Sequence, residues 1–301
     1  MMQSRKHTVL ASFLLVALFA GSVLALRKIQ SLRGNQATLE DVLYLPSGKT
    51  IKRMSLGYSG LLADIYWTRA VQYFGAAHLR RADHYDLLYP LLDITTDLDP
   101  KLIVAYEYGS IFLSQNPPEG AGQPDKAVEL VQKGIRENPA YWRLYFTLGF
   151  IHFQDRHDYR AAQEAFERGS QIPGALPWMK VMAARMAEKA EDITTAMALW
   201  NGVYENTVDK DVKKTALSHL RSLQADVGIM ELERRVQFYH DRTGSLPTDW
   251  AELIRVGLLR GIPLDPTGDP YKLLPSGKVE VTDANKYPYL GEWLQKHPRP
   301  F

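Results

Sequence analysis

The sequence predicts a mainly α-helical protein. We expect an N-terminal transmembrane helix, an α-solenoid of about four helical hairpins, and a small C-terminal α+β element with a β-hairpin. Three observations lead to this fold class: an uncharged apolar run from Thr8 to Leu26, helical spacing of apolar residues from Leu61 to about Tyr204, and a turn-rich segment after Thr243. The predicted segments are 1–29, 30–60, 61–208, 209–242 and 243–301.

The composition is that of a globular protein with no strong charge. The chain has 301 residues, 46% of them hydrophobic and 23% charged, which is enough for one large domain or two small ones. With 36 basic and 34 acidic residues, no global field favours nucleic acid as a partner. Cysteine is absent, which excludes disulfides, thiolate zinc sites and a cysteine nucleophile.

The N-terminal run favours a membrane anchor. Arg5 and Lys6 precede Thr8 to Leu26, whose length is close to the ~20 residues that a transmembrane helix needs. Ala25 offers a site for signal peptidase, so a cleaved signal peptide is the alternative. Arg27, Lys28 and Arg33 follow the run, so the distribution of basic residues does not decide which end is cytoplasmic. The order of a basic segment followed by an apolar run favours a cytoplasmic N-terminus. We expect a single-pass protein in contact with the lipid bilayer through this run, with the bulk of the chain extracytoplasmic (periplasmic).

Residues 30–60 are predicted to be a connector with a β-hairpin. One strand would run from Val42 to Leu45 and the other from Thr50 to Leu56. The Pro-Ser-Gly sequence between them is typical of a turn.

The clearest helical hairpin lies between Tyr141 and Pro173. Apolar or small residues recur three and four positions apart on each of two helices, which a short polar turn at Asp155 to Asp158 joins. Such a pair cannot bury its faces alone and needs similar pairs beside it. The expected core residues are Tyr145, Leu148, Gly149 and His152 on the first helix, and Ala162, Phe166 and Gly169 on the second.

Three further pairs follow the same pattern, and prolines end several of them. The interval from Pro139 to Pro173 is 34 residues, and that from Pro100 to Pro139 is 39, the excess lying in a Pro/Gly-rich loop. The core positions are Trp67, Ala70, Val71, Phe74, Tyr85, Leu88 and Leu92 in the first pair; Gly109, Phe112, Ala127, Val131 and Gly134 in the second; and Met179, Met182, Ala183, Met186, Ala196, Trp200 and Val203 in the fourth.

This period and pattern resemble the tetratricopeptide repeat (TPR) family over residues 61–208. The first pair departs from the family at Ala70-Val71, where Leu-Gly is typical. The resemblance implies a scaffold that binds protein partners through a concave groove lined by the first helix of each pair. The implied groove positions are Ile65, Thr68, Gln72, Ile103, Tyr106, Ser110, Leu113, Arg143, Phe146, Phe150, Phe153, Lys180 and Ala184.

Six of these positions are the candidate partner-binding residues: Tyr106, Arg143, Phe146, Phe150, Phe153 and Lys180. The three phenylalanines form a stripe separate from the packing stripe on the same helix. This stripe is either an aromatic binding wall or a surface that the C-terminal helices cover. Arg143 and Lys180 favour an acidic group or a C-terminal carboxylate on the ligand.

The remaining residues predict a cap and a small mixed element. Residues 209–242 have a helical pattern that Gly228 interrupts, so one kinked helix or two helices would cap the repeat stack. Thr248 is the expected N-cap of a short helix from Asp249 to Val256. A hairpin follows, with strands from Tyr271 to Leu274 and from Val279 to Val281.

Residues 231–281 resemble the C-terminal region of type II secretion major pseudopilins, through a helix, a short helix and an Asp-Pro-x-Gly-x-Pro-Tyr loop from Asp265 to Tyr271. The family's N-terminal methylation motif is missing, so the resemblance does not imply a filament subunit. The resemblance implies that Asp265, Asp269 and Asp283 are possible calcium ligands, although the same residues are ordinary turn formers.

No group of residues has the spacing of a catalytic site, so we predict a non-enzymatic protein without cofactor or metal. The predicted function is that of a membrane-anchored TPR scaffold for protein–protein interactions in the cell envelope. The alternative is an accessory structural component of a secretion or pilus-type machine that uses the pseudopilin-like tail.

Overall fold

The computed structural model describes Leu18, residues 21–24, Lys28, residues 47–296 and Arg299. These residues are mainly helical and include a small antiparallel sheet. They form two compact units, one ending at Leu98 and the other beginning at Asp99. The predicted repeat segment, residues 61–208, therefore crosses a boundary between units that the sequence pattern did not indicate.

Most of the predicted membrane segment lies outside the described residues. Its described members, Leu18 and residues 21–24, are helical. Within the part of the chain that the structure describes, no helix is both long enough and apolar enough to cross a bilayer.

The first unit contains helices α1 (Gly48–Met54), α2 (Ser59–Leu79) and α3 (Leu88–Leu98). The predicted strand from Thr50 to Leu56 is wrong, because α1 occupies most of this range. The Ser47 hydroxyl accepts a hydrogen bond from the Thr50 amide and so caps the helix. The Lys52 ammonium then donates to the Asp97 carbonyl at 3.0 Å. The first predicted strand, Val42 to Leu45, lies outside the described residues.

Helices α2 and α3 pack as the first predicted pair. Tyr85, Leu88 and Leu92 are fully buried, as predicted. Val71, predicted to face the core, is 39% exposed, and Tyr73 is buried in its place. The buried residues of α2 recur at three-, four- and seven-residue intervals, and this face excludes Val71.

The second unit begins with six helices that pack in chain order. They are α4 (Ile103–Ser114), α5 (Pro124–Glu137), α6 (Trp142–Phe150), α7 (Tyr159–Ser170), α8 (Trp178–Lys189) and α9 (Ile193–Asn206). Each helix contacts the next one, and a π-helical turn, Ile151–Asp155, extends α6. All seven predicted core residues of the central pair, α6 and α7, are buried.

A glycine allows α7 to approach α6 closely. A Cβ atom at Gly149 would lie 2.7 Å from the ring of Phe166, which is nearer than side chains can pack. The Phe166 ring therefore rests on the backbone of α6 and is fully buried.

Helix α10 (Lys210–Thr243) is one continuous helix of 34 residues, which resolves the two alternatives left by the sequence. It packs against α9, and the Asp209 side chain caps it. Gly228 does not break it. A Cβ atom there would overlap the Tyr271 hydroxyl, so the glycine provides space for a distant side chain.

The last residues form a small α+β element against α10. Helix α11 (Trp250–Arg255) is capped by Asp249, whose carboxylate accepts from the Glu252 amide at 3.1 Å. The prediction of Thr248 as the N-cap is therefore wrong by one residue. Strands β1 (Lys272–Leu273) and β2 (Val279–Glu280) pair antiparallel and confirm the predicted hairpin. Residues 282–296, called the C-terminal strap below, follow the hairpin.

Candidate functional site

Several predicted groove positions are buried in the second unit and do not line a groove. Tyr106 is fully buried, and its ring packs directly against Gly134 of α5. Ser110, Leu113 and Ala184 are also buried. The predicted groove role of these four residues is therefore wrong. On α4 the reason is that the buried face, which includes Ala105, Tyr106, Gly109, Ser110, Leu113 and Ser114, is wider than the repeat pattern indicates.

Arg143 is exposed and lies over the Trp142 ring, with its Cζ 5.4 Å from the ring centroid. Its charge also acts on Glu107 of α4. Burial raises the pKa of Glu107, and the nearby Arg143 guanidinium partly opposes this effect. Arg143 thus has local partners on the protein itself.

The stripe of Phe146, Phe150 and Phe153 is half-buried, and its role as a binding wall stays a prediction. Phe150 contacts Phe146 and Phe166, with ring centroids 4.6 and 5.4 Å apart. Phe153 lies beside Tyr159 at 6.3 Å. The described residues that pack around the stripe all lie between Trp142 and Leu199, before α10 begins. Helices α7 and α8 therefore partly cover the stripe, and the C-terminal helices do not.

The sequence reasoning missed the residue that completes this cluster, Trp178. Its ring packs edge-on against Phe146 at 5.2 Å and approaches Phe150 at 6.4 Å, while 38% of the residue remains exposed. One signal was present in the sequence: α6 and α8 each begin with a tryptophan, Trp142 and Trp178.

Trp178 forms one wall of an open groove of about 550 Å³, called the Trp178 groove below. The groove lies between the start of α8 and the connection from α9 to α10. Its apolar lining residues are Ala175, Pro177, Trp178, Val181, Val203, Val208 and Val212. Val208 is completely exposed. Lys180, a predicted binding residue, lies on the wall and forms no side-chain hydrogen bond or ion pair with any described residue.

A second unusual feature is a row of buried polar residues on α10, called the polar seam: His219, Ser222, Asp226 and Glu233. The C-terminal strap bonds to it. The Tyr289 amide donates to the Ser222 hydroxyl at 3.3 Å, and the Gly291 amide donates to Asp226 at 2.9 Å. Buried polar groups are stable only when paired, so the seam fixes where the strap lies.

His219 is held from three sides. Its ring stacks between Trp200 and Tyr289, with centroids 4.1 and 3.6 Å away. Its Nδ1 lies 2.9 Å from Glu188 Oε1, the same oxygen that accepts from Trp200 Nε1 at 2.7 Å. Glu188 of α8 is thus fixed by side chains from α9 and α10.

The C-terminal part of the polar seam contains two carboxyl groups, those of Asp226 and Glu233. Burial raises the pKa of Asp226 to about 7, which the Gly291 and Trp293 amides and the Arg299 charge partly oppose. Glu233 accepts from the Val279 amide at 2.9 Å and from Arg299 Nε at 3.0 Å. The two carboxyl groups therefore differ, because only Glu233 has a direct cationic partner.

The candidate calcium ligands have other roles. Asp265 accepts from the amides of its own turn, Thr267 at 2.8 Å and Asp269 at 3.0 Å. Asp269 pairs with Lys286 at 2.5 Å. The part of the chain that the structure describes holds no group of three or more histidine or acidic residues suited to a metal ion.

No protein-family model matches the chain, no curated protein matches it at a significant level, and no solved structure does so. The proposed function therefore rests on the Trp178 groove.

Proposed function

We propose that the protein is a non-enzymatic scaffold that binds a protein partner in the Trp178 groove. The observation that carries this proposal is the half-exposed Trp178 beside the fully exposed Val208, on a stack of paired helices. Exposed apolar patches of this kind are typical of interaction surfaces, and tryptophan is frequent among residues that dominate binding energy.

The lining of the groove indicates the chemistry of its partner. Trp178 rests on Phe146 and Phe150, so its ring is oriented before a ligand arrives and little conformational entropy is lost on binding. Lys180 is a cation without a side-chain partner among the described residues, and the acidic residue of the lining, Asp209, uses its carboxylate to cap α10. We infer that the groove accepts a protein segment with a bulky apolar side chain next to a carboxylate.

Two features of the sequence extend the proposal. The resemblance of residues 61–208 to TPR proteins supports a binding role, and the uncharged run from Thr8 to Leu26 supports attachment to a membrane. We therefore propose a membrane-anchored scaffold of the cell envelope, with the bulk of the chain extracytoplasmic. Resistance of the chain to carbonate extraction tests the anchor, and access of protease to intact spheroplasts tests the orientation.

The groove is tested by crosslinking in native membranes. A photo-reactive amino acid at Val208 is expected to capture a segment that has a bulky apolar residue beside a carboxylate. The same position in a Trp178→Ser chain is expected to lose this adduct. A probe at Val256, which is also exposed but lies outside the groove lining, is the matched control. An adduct that persists in Trp178→Ser, or that forms equally from Val256, would contradict the proposal.

A second candidate function rests on a different surface. Ile262 and Leu264, in the loop before β1, are 62% and 60% exposed beside α10. Together with the resemblance of residues 231–281 to pseudopilins, this exposed apolar pair supports, as the alternative proposal, a structural role in a secretion or pilus-type machine. Deleting the C-terminal region would remove strap residues that belong to the core. The double substitution Ile262→Ser, Leu264→Ser changes only the exposed apolar pair and is therefore the better test. If the double variant, which keeps Trp178, no longer joins the secretion or pilus-type machine, this alternative would be favoured.

A further inference from the structure

A small cavity lies between α8, α10 and the C-terminal strap, away from the Trp178 groove. Its volume is about 210 Å³. Pockets for drug-sized ligands usually measure ~300–1,000 Å³, so this cavity suits a smaller molecule. The residues that matter below are Arg185 and Glu188 of α8, and Tyr289, Glu292 and Trp293 of the strap.

Glu188 presents one free carboxylate oxygen. Its side chain is 13% exposed, and both of its protein donors, Trp200 and His219, bond to Oε1. A carboxylate oxygen only accepts hydrogen bonds, so the contact between Glu188 Oε1 and His219 requires the proton on Nδ1. Oε2 receives no hydrogen bond from any described residue. A rigid carboxylate with an unused acceptor is a site for an ammonium group.

Arg185 supplies the opposite charge. It lies one turn before Glu188 on the same helix, is half-buried, and forms no hydrogen bond or ion pair with a described residue. Residues three apart on a helix are neighbours at ~5–6 Å between Cβ atoms, yet these two do not pair with each other. A guanidinium binds a carboxylate through two parallel hydrogen bonds.

The other charged residues at the cavity do not compete with Glu188 for an ammonium group or with Arg185 for a carboxylate. The Lys189 ammonium lies over the rings of Tyr159 and Phe153, at 5.4 and 6.0 Å from their centroids. Glu292 is exposed on the strap. A simple anion would leave Glu188 Oε2 unused, and a simple cation would leave Arg185 without an ion-pair partner among the described residues.

We propose that this cavity binds a small zwitterion of the α-amino acid class. The ligand's ammonium group donates to Glu188 Oε2, its carboxylate accepts from Arg185, and its carbon atoms pack against Tyr289 and Trp293. Because two of these residues belong to the strap, binding stabilises the strap on α10.

The test is thermal unfolding of the full chain with each standard L-amino acid as a probe. A concentration of about 10 mM detects binding in the millimolar range. At least one amino acid is expected to raise Tm. Its N-acetyl derivative, which lacks the ammonium group, and its amide, which lacks the carboxylate, are both expected to have no effect.

The matched variants are Arg185→Gln and Arg221→Gln, the second an exposed arginine of α10 outside the cavity lining. Arg185→Gln is expected to weaken binding at least tenfold, whereas Arg221→Gln leaves it unchanged. If Arg185→Gln fails to fold, the two derivatives still decide the question. No increase in Tm with any amino acid, or equal binding of the acetylated form, would overturn the proposal. Neither result bears on the Trp178 groove.

Discussion

The helix pairs of α4 to α9 and the C-terminal region on α10 are held together by different means. The pairs pack through apolar and aromatic side chains at helical spacing, such as Phe166 against Gly149. The C-terminal region also has an apolar core, but its position depends on buried polar residues of α10 as well. Ser222 and Asp226 accept hydrogen bonds from the strap, and Glu233 accepts one from the Val279 amide of β2. Apolar contacts have no preferred direction, whereas buried hydrogen bonds do and therefore specify one arrangement.

The largest expected effect tests the apolar side of this comparison. Phe166→Ala removes a fully buried ring beneath Phe146 and Phe150, and it is expected to lower the free energy of unfolding by about 3–5 kcal/mol. Urea unfolding of the full chain measures this loss. Phe238→Ala, at an exposed position on α10, is the control and is expected to change stability by less than ~0.5 kcal/mol. Similar losses for both variants would argue against the packing described here.

The second prediction concerns the polar seam and pH. The pKa of Asp226 is raised from 3.8 to about 7, so between these values the folded chain keeps a proton that the unfolded chain releases. The contribution of Asp226 to the free energy of unfolding therefore falls as pH rises from about 4 to 7, by up to about 4 kcal/mol in total.

The variant Asp226→Asn keeps an acceptor for the Gly291 amide but carries no charge. It is expected to match the original chain near pH 4 and to be more stable above pH 7, as measured by unfolding at several pH values. Asp241→Asn, at an exposed position of the same helix, is the control. A stability difference for Asp226→Asn that does not vary with pH would show that Asp226 is not buried in this way.

Smaller changes in stability are expected from alanine substitutions at two helical glycines, Gly228 and Gly202. Gly228→Ala places a Cβ against the Tyr271 hydroxyl and is expected to destabilise the chain by about 1–3 kcal/mol. Gly202→Ala in α9 meets no atom within 4 Å and is expected to stabilise it by up to ~1 kcal/mol. Opposite signs in thermal unfolding support the contact between α10 and Tyr271. Stabilisation by both substitutions would mean that Tyr271 lies elsewhere.

The sequence predicted those parts of the molecule that depend on local spacing. The central pair, the C-terminal hairpin and the long helix at residues 210–243 follow from helical or strand periodicity and turn residues. Residues 50–54 belong to α1 and not to the predicted strand, because the Ser47 side chain caps a helix that begins at Gly48.

The candidate sites were harder to predict, because their residues meet through tertiary contacts. Tyr106 and Phe146 occupy similar repeat positions, yet Tyr106 is fully buried by α5 and Phe146 only half-buried beneath Trp178. The pairing of Glu188 with His219 joins residues 31 positions apart, and that of Asp226 with Gly291 joins residues 65 apart. No local pattern in the sequence indicates either pairing.

The central claim is that the Trp178 groove binds a segment with a carboxylate beside a bulky apolar residue. The most direct test reverses the charge of the ligand and of Lys180 in turn. Fluorescence anisotropy would compare two labelled peptides, obtained by display selection on the full chain, that differ only by aspartate or lysine at the charged position. The original chain is expected to bind the aspartate peptide more tightly, Lys180→Glu to reverse this preference, and Lys278→Glu, at an exposed site in the β1–β2 turn, to leave it unchanged. Equal binding of both peptides, or an unchanged preference in Lys180→Glu, would contradict the account.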